Sequence, residues 1–494
     1  MASATQILVG GSEREQTRRI PYYLKDDRVA NFMSSHTDRR VDAEPFLVTA
    51  AAFLALTLGA MSASAPVQYS IFAVAIALCL TFKNKQLLYL AAILICTLGF
   101  FRRIMAGDLG RIGNDPLAML PLAIVLIVVV RTLLEPRPID RRTATENICY
   151  LMAGLTSVTY FVNPNVSMAA MYASGIAIVT WILIGLITAG RVPDVWPLIY
   201  QTFPYVGAVI GAYGIFQFFF LPKWDRAWMI ASKLNSIGAP LPEQVRVFGT
   251  AESPGPYAIV LGLCLIVTLE RSISERGLTR LHMIGIACLL IAPLALTAVR
   301  TGMLGIVLAG AFMSIRCLKG AKRFVPIIAS ALIYTVLVVA VRLFSRTSSV
   351  LTEGRLSEFD AANDNSLQSR LELLASVPQH LTNPLGQGVT VNSESGQSGS
   401  LDNAFIDILV RNGPVVALLL VMLTYLVLKS CWNIDSTQGY KVAAAASCIY
   451  LAFFMIAGNI FSSGSGLVAA IAFGTVLRYN RNQPKRKSLE TAMT

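Results

Sequence analysis

The sequence predicts an all-α, polytopic transmembrane fold with about 12–14 spans and one large external loop. Three observations predict it. Hydrophobic residues make up 55% of the 494 and charged residues only 14%, against about 25% charged in an ordinary soluble domain. Mean hydropathy is +0.60. The apolar residues also fall into runs near the roughly 20 residues that a spanning helix needs. This composition excludes a soluble enzyme, a disordered chain and a disulfide-stapled secreted domain.

Fourteen apolar runs are readable, at 46–63, 66–82, 86–101, 116–134, 147–163, 166–189, 195–221, 255–270, 282–298, 302–316, 324–343, 406–428, 442–459 and 464–478. The runs 66–82, 86–101 and 464–478 are short. Very short polar breaks divide 147–163 from 166–189 and 282–298 from 302–316, which suits tight helical hairpins. The first 44 residues are polar and lack the apolar stretch of a signal peptide, so the first spanning helix is expected to do the targeting.

Orientation follows from the basic residues. With the N-terminus inside, 28 of the 41 Lys and Arg lie on the cytoplasmic side and 13 outside, as the positive-inside rule asks. One loop dissents, with Arg102, Arg103 and Arg111 on the external side, and no role is assigned to Arg102. The organisation expected is a cytoplasmic tail over 1–44, spans over 45–343 with an external loop at 222–254, a large periplasmic loop over 344–405, spans over 406–478 and a basic cytoplasmic tail over 479–494. Both termini are then cytoplasmic. The large loop is rich in Ser, Asn, Asp and Gly and holds one amphipathic stretch, with Leu367, Leu371 and Leu374 at helical spacing. The net charge of +13 fits basic loops and anionic ligands, and no nucleic-acid partner is expected.

The eight cysteines lie in or beside apolar runs, no CxxC occurs and only three His are present. They read as small hydrophobes. The chain has no Walker A loop, no HExxH, no dinucleotide-binding glycines and no acidic metal pair on the external side. No metal and no cofactor are expected, and an anion would be held by arginine.

Polar groups at the external face are the candidates for chemistry. Arg300 is a single guanidinium at an apolar hairpin. A snorkelling interfacial Arg is the plainer account, at about even odds. Arg246 precedes a Gly/Pro-rich bend, Gly249 to Pro256, above a helix start, where phosphate is readily bound. A solvated loop Arg is about twice as common. Arg370 lies in the amphipathic stretch, where a solvated helix face is the ordinary explanation. His380 is a loop His. Asp402-Asn403 reads first as a helix N-cap. Three external Arg and a carboxylate together point to a diphosphate-handling site.

At these residues the chain resembles the O-antigen ligase/polymerase superfamily of bacterial inner-membrane proteins. Four segments carry the likeness over about residues 200–430. They are Tyr213-Gly214-Ile215-Phe216-Gln217, Arg246-Val247-Phe248-Gly249-Thr250, Thr297-Ala298-Val299-Arg300-Thr301-Gly302, and a large loop. That loop carries Ser369-Arg370 and Asn383-Pro384-Leu385-Gly386-Gln387-Gly388 and closes with Asp402-Asn403, nine residues, then Gly413. The resemblance implies a GT-C-like, metal-independent glycosyltransferase acting on undecaprenyl-diphosphate-linked glycans. A polysaccharide polymerase is the reading, with Arg246, Arg300, Arg370, Gln217 and Asn403 at the substrate. A flippase and a chain-length regulator are the expected partners beside membrane lipid. Where the family's ligases carry His, this chain has Asp402. That departure points away from a ligase and leaves the base open between Asp402 and His380. In place of the family's Asn-Pro-Asn stands Ser253-Pro254-Gly255-Pro256. A ligase acting on a lipid core, and a secondary transporter of an organic anion, are the alternatives.

Overall fold

The computed structural model describes residues 65–105, 116–136, 143–162, 168–232, 237–317, 375, 377–378, 381–388, 403–434 and 437–482. No strand occurs among them. Thirteen α-helices have described bounds: α1 Ala65–Cys79, α2 Asn84–Met105, α3 Leu120–Leu134, α4 Ala144–Val162, α5 Met168–Thr188, α6 Trp196–Phe220, α7 Lys223–Ser232, α8 Pro254–Ser274, α9 Gly277–Leu296, α10 Arg300–Cys317, α11 Ala404–Asn433, α12 Gly439–Phe454 and α13 Ser465–Arg481.

The protein is an all-α, multi-pass membrane protein. Twelve of these helices fall on twelve of the fourteen apolar runs, and eight are long and apolar enough to cross a membrane on that ground alone. The short α7 is additional and lies within the 222–254 segment. The runs 46–63 and 324–343, both tails and most of the 344–405 loop lie outside the described residues.

The centre of the bundle is α8. Every residue from Tyr257 to Thr268 is buried, as a helix apolar all round requires. It packs against α6, α9, α10 and α12. Tyr450 of α12 donates its hydroxyl to the Ala258 carbonyl at 2.7 Å, which ties α12 to the upper part of α8. The run 147–163/166–189 forms a packed helical pair, α4 on α5. The other short break behaves differently from a tight hairpin. Although α9 and α10 are joined by only Thr297–Val299, α9 packs chiefly on α6 and α8, while α10 packs on α12 and α8. The two helices splay around α8, so their turn faces the end of the bundle.

Helix ends sort into two sets. At one end, arginines donate to carbonyls at or just beyond helix C-termini, where basic groups are favoured. Arg131 donates to Phe82 O at 2.7 Å and to Leu80 O, and Arg191 to Glu135 O at 3.1 Å and to Thr132 O. Arg478 donates to Val192 O at 2.8 Å, and Arg316 to Ile434 O. Four of the arginines at this end are therefore engaged by backbone carbonyls. At the opposite end lie the start of α8, the α9–α10 turn, the start of α11 and the turn after α12, and there the candidate residues meet. All eight cysteines are free thiols, and only Cys288 is exposed.

Candidate functional site

The site is assembled on the segment that links α7 to α8. Its anchor is Gln217, in the last turn of α6 and wholly buried. The Gln217 amide oxygen accepts from the backbone N–H of Phe248 at 3.0 Å and of Gly249 at 2.8 Å. Its amide nitrogen donates to Asp225 Oδ2 at 2.6 Å. Both ends of the side chain are thus engaged by the protein, and Gln217 acts on the loop backbone. Tyr257 fills the space between α6 and this loop. Its hydroxyl donates to Ile210 O at 2.7 Å. A Cβ at Gly249, where φ is +50°, would overlap the Tyr257 ring, and a Cβ at Gly214 would overlap its hydroxyl. The Tyr-Gly-x-x-Gln and Arg-x-x-Gly-Thr segments therefore meet across one tyrosine.

Two residues that sequence reading missed complete this anchor. Asp225 of α7 is fully buried and accepts from Arg103 Nε at 2.6 Å and from Tyr213 Oη at 2.7 Å. Arg103 of α2 also donates to the carbonyls of Gly249 and Ala251 and lies over the Phe248 ring, 4.8 Å from its centroid. A signal for it was present in the sequence: two arginines closing an apolar helix on the side where basic residues are scarce. Its neighbour Arg102 pairs with Glu252 and lies 5.8 Å over Trp228. Arg102, to which the sequence assigns no role, is thereby tied into the same loop, since its charge is almost buried and needs a partner.

Arg246 sits on the far side of the loop. Its backbone N–H donates to Ile237 O at 2.7 Å, and the next N–H, of Val247, to Leu296 O at 3.1 Å. The Arg246 guanidinium donates to Thr297 O at 3.1 Å and to Ala298 O at 3.4 Å. It therefore braces the α9–α10 turn, in which Ala298 takes a left-handed φ of 53°. That turn delivers Arg300 as the first residue of α10. The starts of α8 and α10 are neighbours: a Cβ at Gly302 would come 3.3 Å from Ala258 Cβ. Two helix N-termini, each with positive partial charge, are thus adjacent, and the Arg246 guanidinium lies on the carbonyls just before the second of them.

The start of α11 is the third part. Asn403 is the N-cap. Its Oδ1 accepts from Phe405 N at 2.9 Å and Ile406 N at 3.2 Å, and its Nδ2 donates to Ile456 O at 3.2 Å. The first helical residue, Ala404, donates to Met455 O at 2.8 Å. Further in, Asp407 pairs with Arg411 at 2.9 Å and accepts from Asn459, both acidic and basic partner being buried. Asp402, His380 and Arg370 lie outside the described residues.

The Asn-Pro-Leu-Gly-Gln-Gly segment has a definite place. Pro414 interrupts α11 and cannot donate to Val410 O. Gln387 N–H takes that carbonyl instead, at 2.7 Å, and Gly388 N–H takes Arg411 O at 2.9 Å. Gly413, at φ 83° and ψ 172°, makes room for Pro384. The segment is a clip seated on the helix break, and this contact accounts for Gly413 and for Gly386, whose Cβ would overlap the Arg411 backbone.

Residues 284–421 match the O-antigen ligase family model. The resemblance to the O-antigen ligase/polymerase superfamily holds over that stretch. No curated protein matches, and no solved structure matches. The matched stretch runs from within α9 through the Arg300 turn and α10 to beyond the break in α11, and takes in Arg370, His380, Asp402 and Asn403. Gln217 and Arg246 precede it and join Arg300 through the contacts just described. The match supports an O-antigen ligase or polymerase type of function and lipid-linked glycans as substrates. Among the described residues no group of three or more His, Cys, Asp or Glu is placed to hold a metal.

Proposed function

We propose that the protein is a polysaccharide polymerase of the bacterial inner membrane, joining undecaprenyl-diphosphate-linked repeat units at the periplasmic face. One observation carries the reading most: Arg246 braces the turn that presents Arg300 at the start of α10, beside a stretch that matches the O-antigen ligase family model. Two arginines, at and just before neighbouring helix starts, suit a diphosphate.

In the reaction an acceptor sugar hydroxyl attacks the anomeric carbon of the lipid-linked glycan. A new C–O bond forms there. The bond from that carbon to the diphosphate oxygen breaks, and undecaprenyl diphosphate leaves with the electron pair. Arg246 and Arg300, with Arg370 from the large loop, stabilise the charge that develops on the leaving group. The hydroxyl proton passes to a base, either Asp402 or His380. The chain would act with both termini in the cytoplasm, supplied by a flippase and adjusted by a chain-length regulator. A GT-C-like, metal-independent transfer fits this arginine set.

Polymer formation by purified protein on lipid-linked repeat units tests the proposal. Arg300→Ala is expected to lower the rate by about 100-fold or more, the usual cost of one lost donor to a developing anion. Arg300→Lys should insert normally yet polymerise poorly, because a single ammonium cannot give two parallel N–H bonds. A wild-type rate for Arg300→Lys would return Arg300 to an interfacial anchor. A ligase is the second reading, favoured by the description of the matching family model. A deletion strain decides between them. Loss of a polymerase stops the product at one repeat, whereas loss of a ligase leaves long lipid-linked polymer. Anion uptake by proteoliposomes would point instead to a transporter.

A further inference from the structure

We propose that Arg103 and Asp225 form a buried positioning pair for the anion site, setting where Arg246 and the start of α8 stand. The proposal rests on the reading of Arg246 and Arg300 as diphosphate ligands. Neither Arg103 nor Asp225 lies in the matched stretch, and neither can touch substrate, since both side chains are fully buried.

The argument begins with cost. An ion pair removed from solvent loses hydration that its mutual attraction only partly offsets. The arrangement around this pair shows what it is used for. The three nitrogens of the Arg103 guanidinium go to three different acceptors: Nε to Asp225 Oδ1, Nη1 to Ala251 O and Nη2 to Gly249 O. Asp225 holds Gln217 with its other oxygen, and Gln217 takes the N–H groups of Phe248 and Gly249. The loop backbone is thus gripped by its carbonyls from α2 and by its amides from α6, with Asp225 joining the two grips. Thr250 adds a third hold, its hydroxyl donating to Cys96 O at 2.5 Å.

The gripped residues, Phe248 to Ala251, lie directly between Arg246 and the first residue of α8. Arg246 in turn reaches the carbonyls of Thr297 and Ala298, just before Arg300. Releasing the loop would therefore loosen Arg246 and the turn it braces in one movement. A planar fork is needed because the three acceptors diverge. A lysine at 103 could keep the pair with Asp225 but offers one nitrogen at one point.

The test uses full-length protein in nanodiscs, with farnesyl diphosphate as the probe. Amide hydrogen exchange over 244–256 reads the grip, and the dissociation constant reads the anion site. Arg103→Lys is expected to speed exchange over Phe248–Ala251 and to weaken binding by about tenfold or more, since two hydrogen bonds from a charged donor are lost. Arg226→Lys, an exposed arginine on the outer face of α7, should change neither. Tyr213→Phe removes one donor from Asp225 and exposes no charge. It should move both readouts the same way by a smaller factor, and it serves where Arg103→Lys fails to fold. Faster exchange with unchanged affinity would overturn the positioning role and leave the diphosphate reading standing. Unchanged exchange would overturn the grip itself. If wild-type protein does not bind farnesyl diphosphate, the diphosphate reading fails, and this proposal falls with it.

Discussion

Replacing Gly413 by Ala isolates the contact between the large loop and α11. At φ 83° and ψ 172° the backbone lies in a region that only glycine occupies without strain of about 1–3 kcal/mol. The added Cβ would also overlap the Pro384 carbonyl, an overpacking cost of about 1–3 kcal/mol. The clip is held by two backbone hydrogen bonds, from Gln387 and Gly388 to Val410 and Arg411, worth together about 1–3 kcal/mol net. The two costs of the substitution together exceed what holds the clip, so the least costly relief is to let the clip go. Residue 413 precedes a proline, so an alanine freed from the clip can settle into an extended conformation while the helix on either side persists. Gly413→Ala should therefore speed amide exchange of Gln387 and Gly388 by about 5- to 150-fold, the factor that corresponds to ~1–3 kcal/mol, with exchange of α12 and α13 unchanged. Hydrogen–deuterium exchange with mass spectrometry on the 381–388 peptide reads this directly. Unaltered protection of that peptide would refute the account of Gly413 as the seat of the clip.

Pro414→Ala gives Val410 O a donor within the helix, so it should also release Gln387, visible in the same peptide, while α11 straightens. Gly249→Ala places a methyl in the Tyr257 ring at a left-handed φ. It should lower stability by at least ~2 kcal/mol, read as a lower unfolding temperature in detergent. If the orientation is as proposed, Ser395→Cys reacts with a membrane-impermeant thiol reagent in spheroplasts and Ser488→Cys does not; the reverse pattern would move the site to the cytoplasm. Polymer formation should persist in EDTA, and a loss restored by Mg²⁺ would mean that the diphosphate is held by metal.

The run of apolar segments was enough to place twelve described helices to within a few residues, because in lipid each spanning segment must satisfy its own backbone. The short run 86–101 became Asn84–Met105 because Arg102 and Arg103 find partners inside the protein, which no hydropathy count contains. Arg300 stood out as a charge where charge is costly, and the structure puts it at a helix start beside Arg246. The capping role could be read from Asp402-Asn403 as a pair, but only the fold assigns it to Asn403. The partners of Arg103 come from residues 122 and more positions away, and a buried ion pair is defined by what surrounds it. The same holds for the clip: the sequence shows glycines and a proline, and only the tertiary structure shows that the proline on α11 leaves a carbonyl for the loop to take. Local chemistry and hydropathy fix which segments are helices and which residues are costly. Which of those costs are met, and by whom, depends on contacts between helices that are distant in the chain.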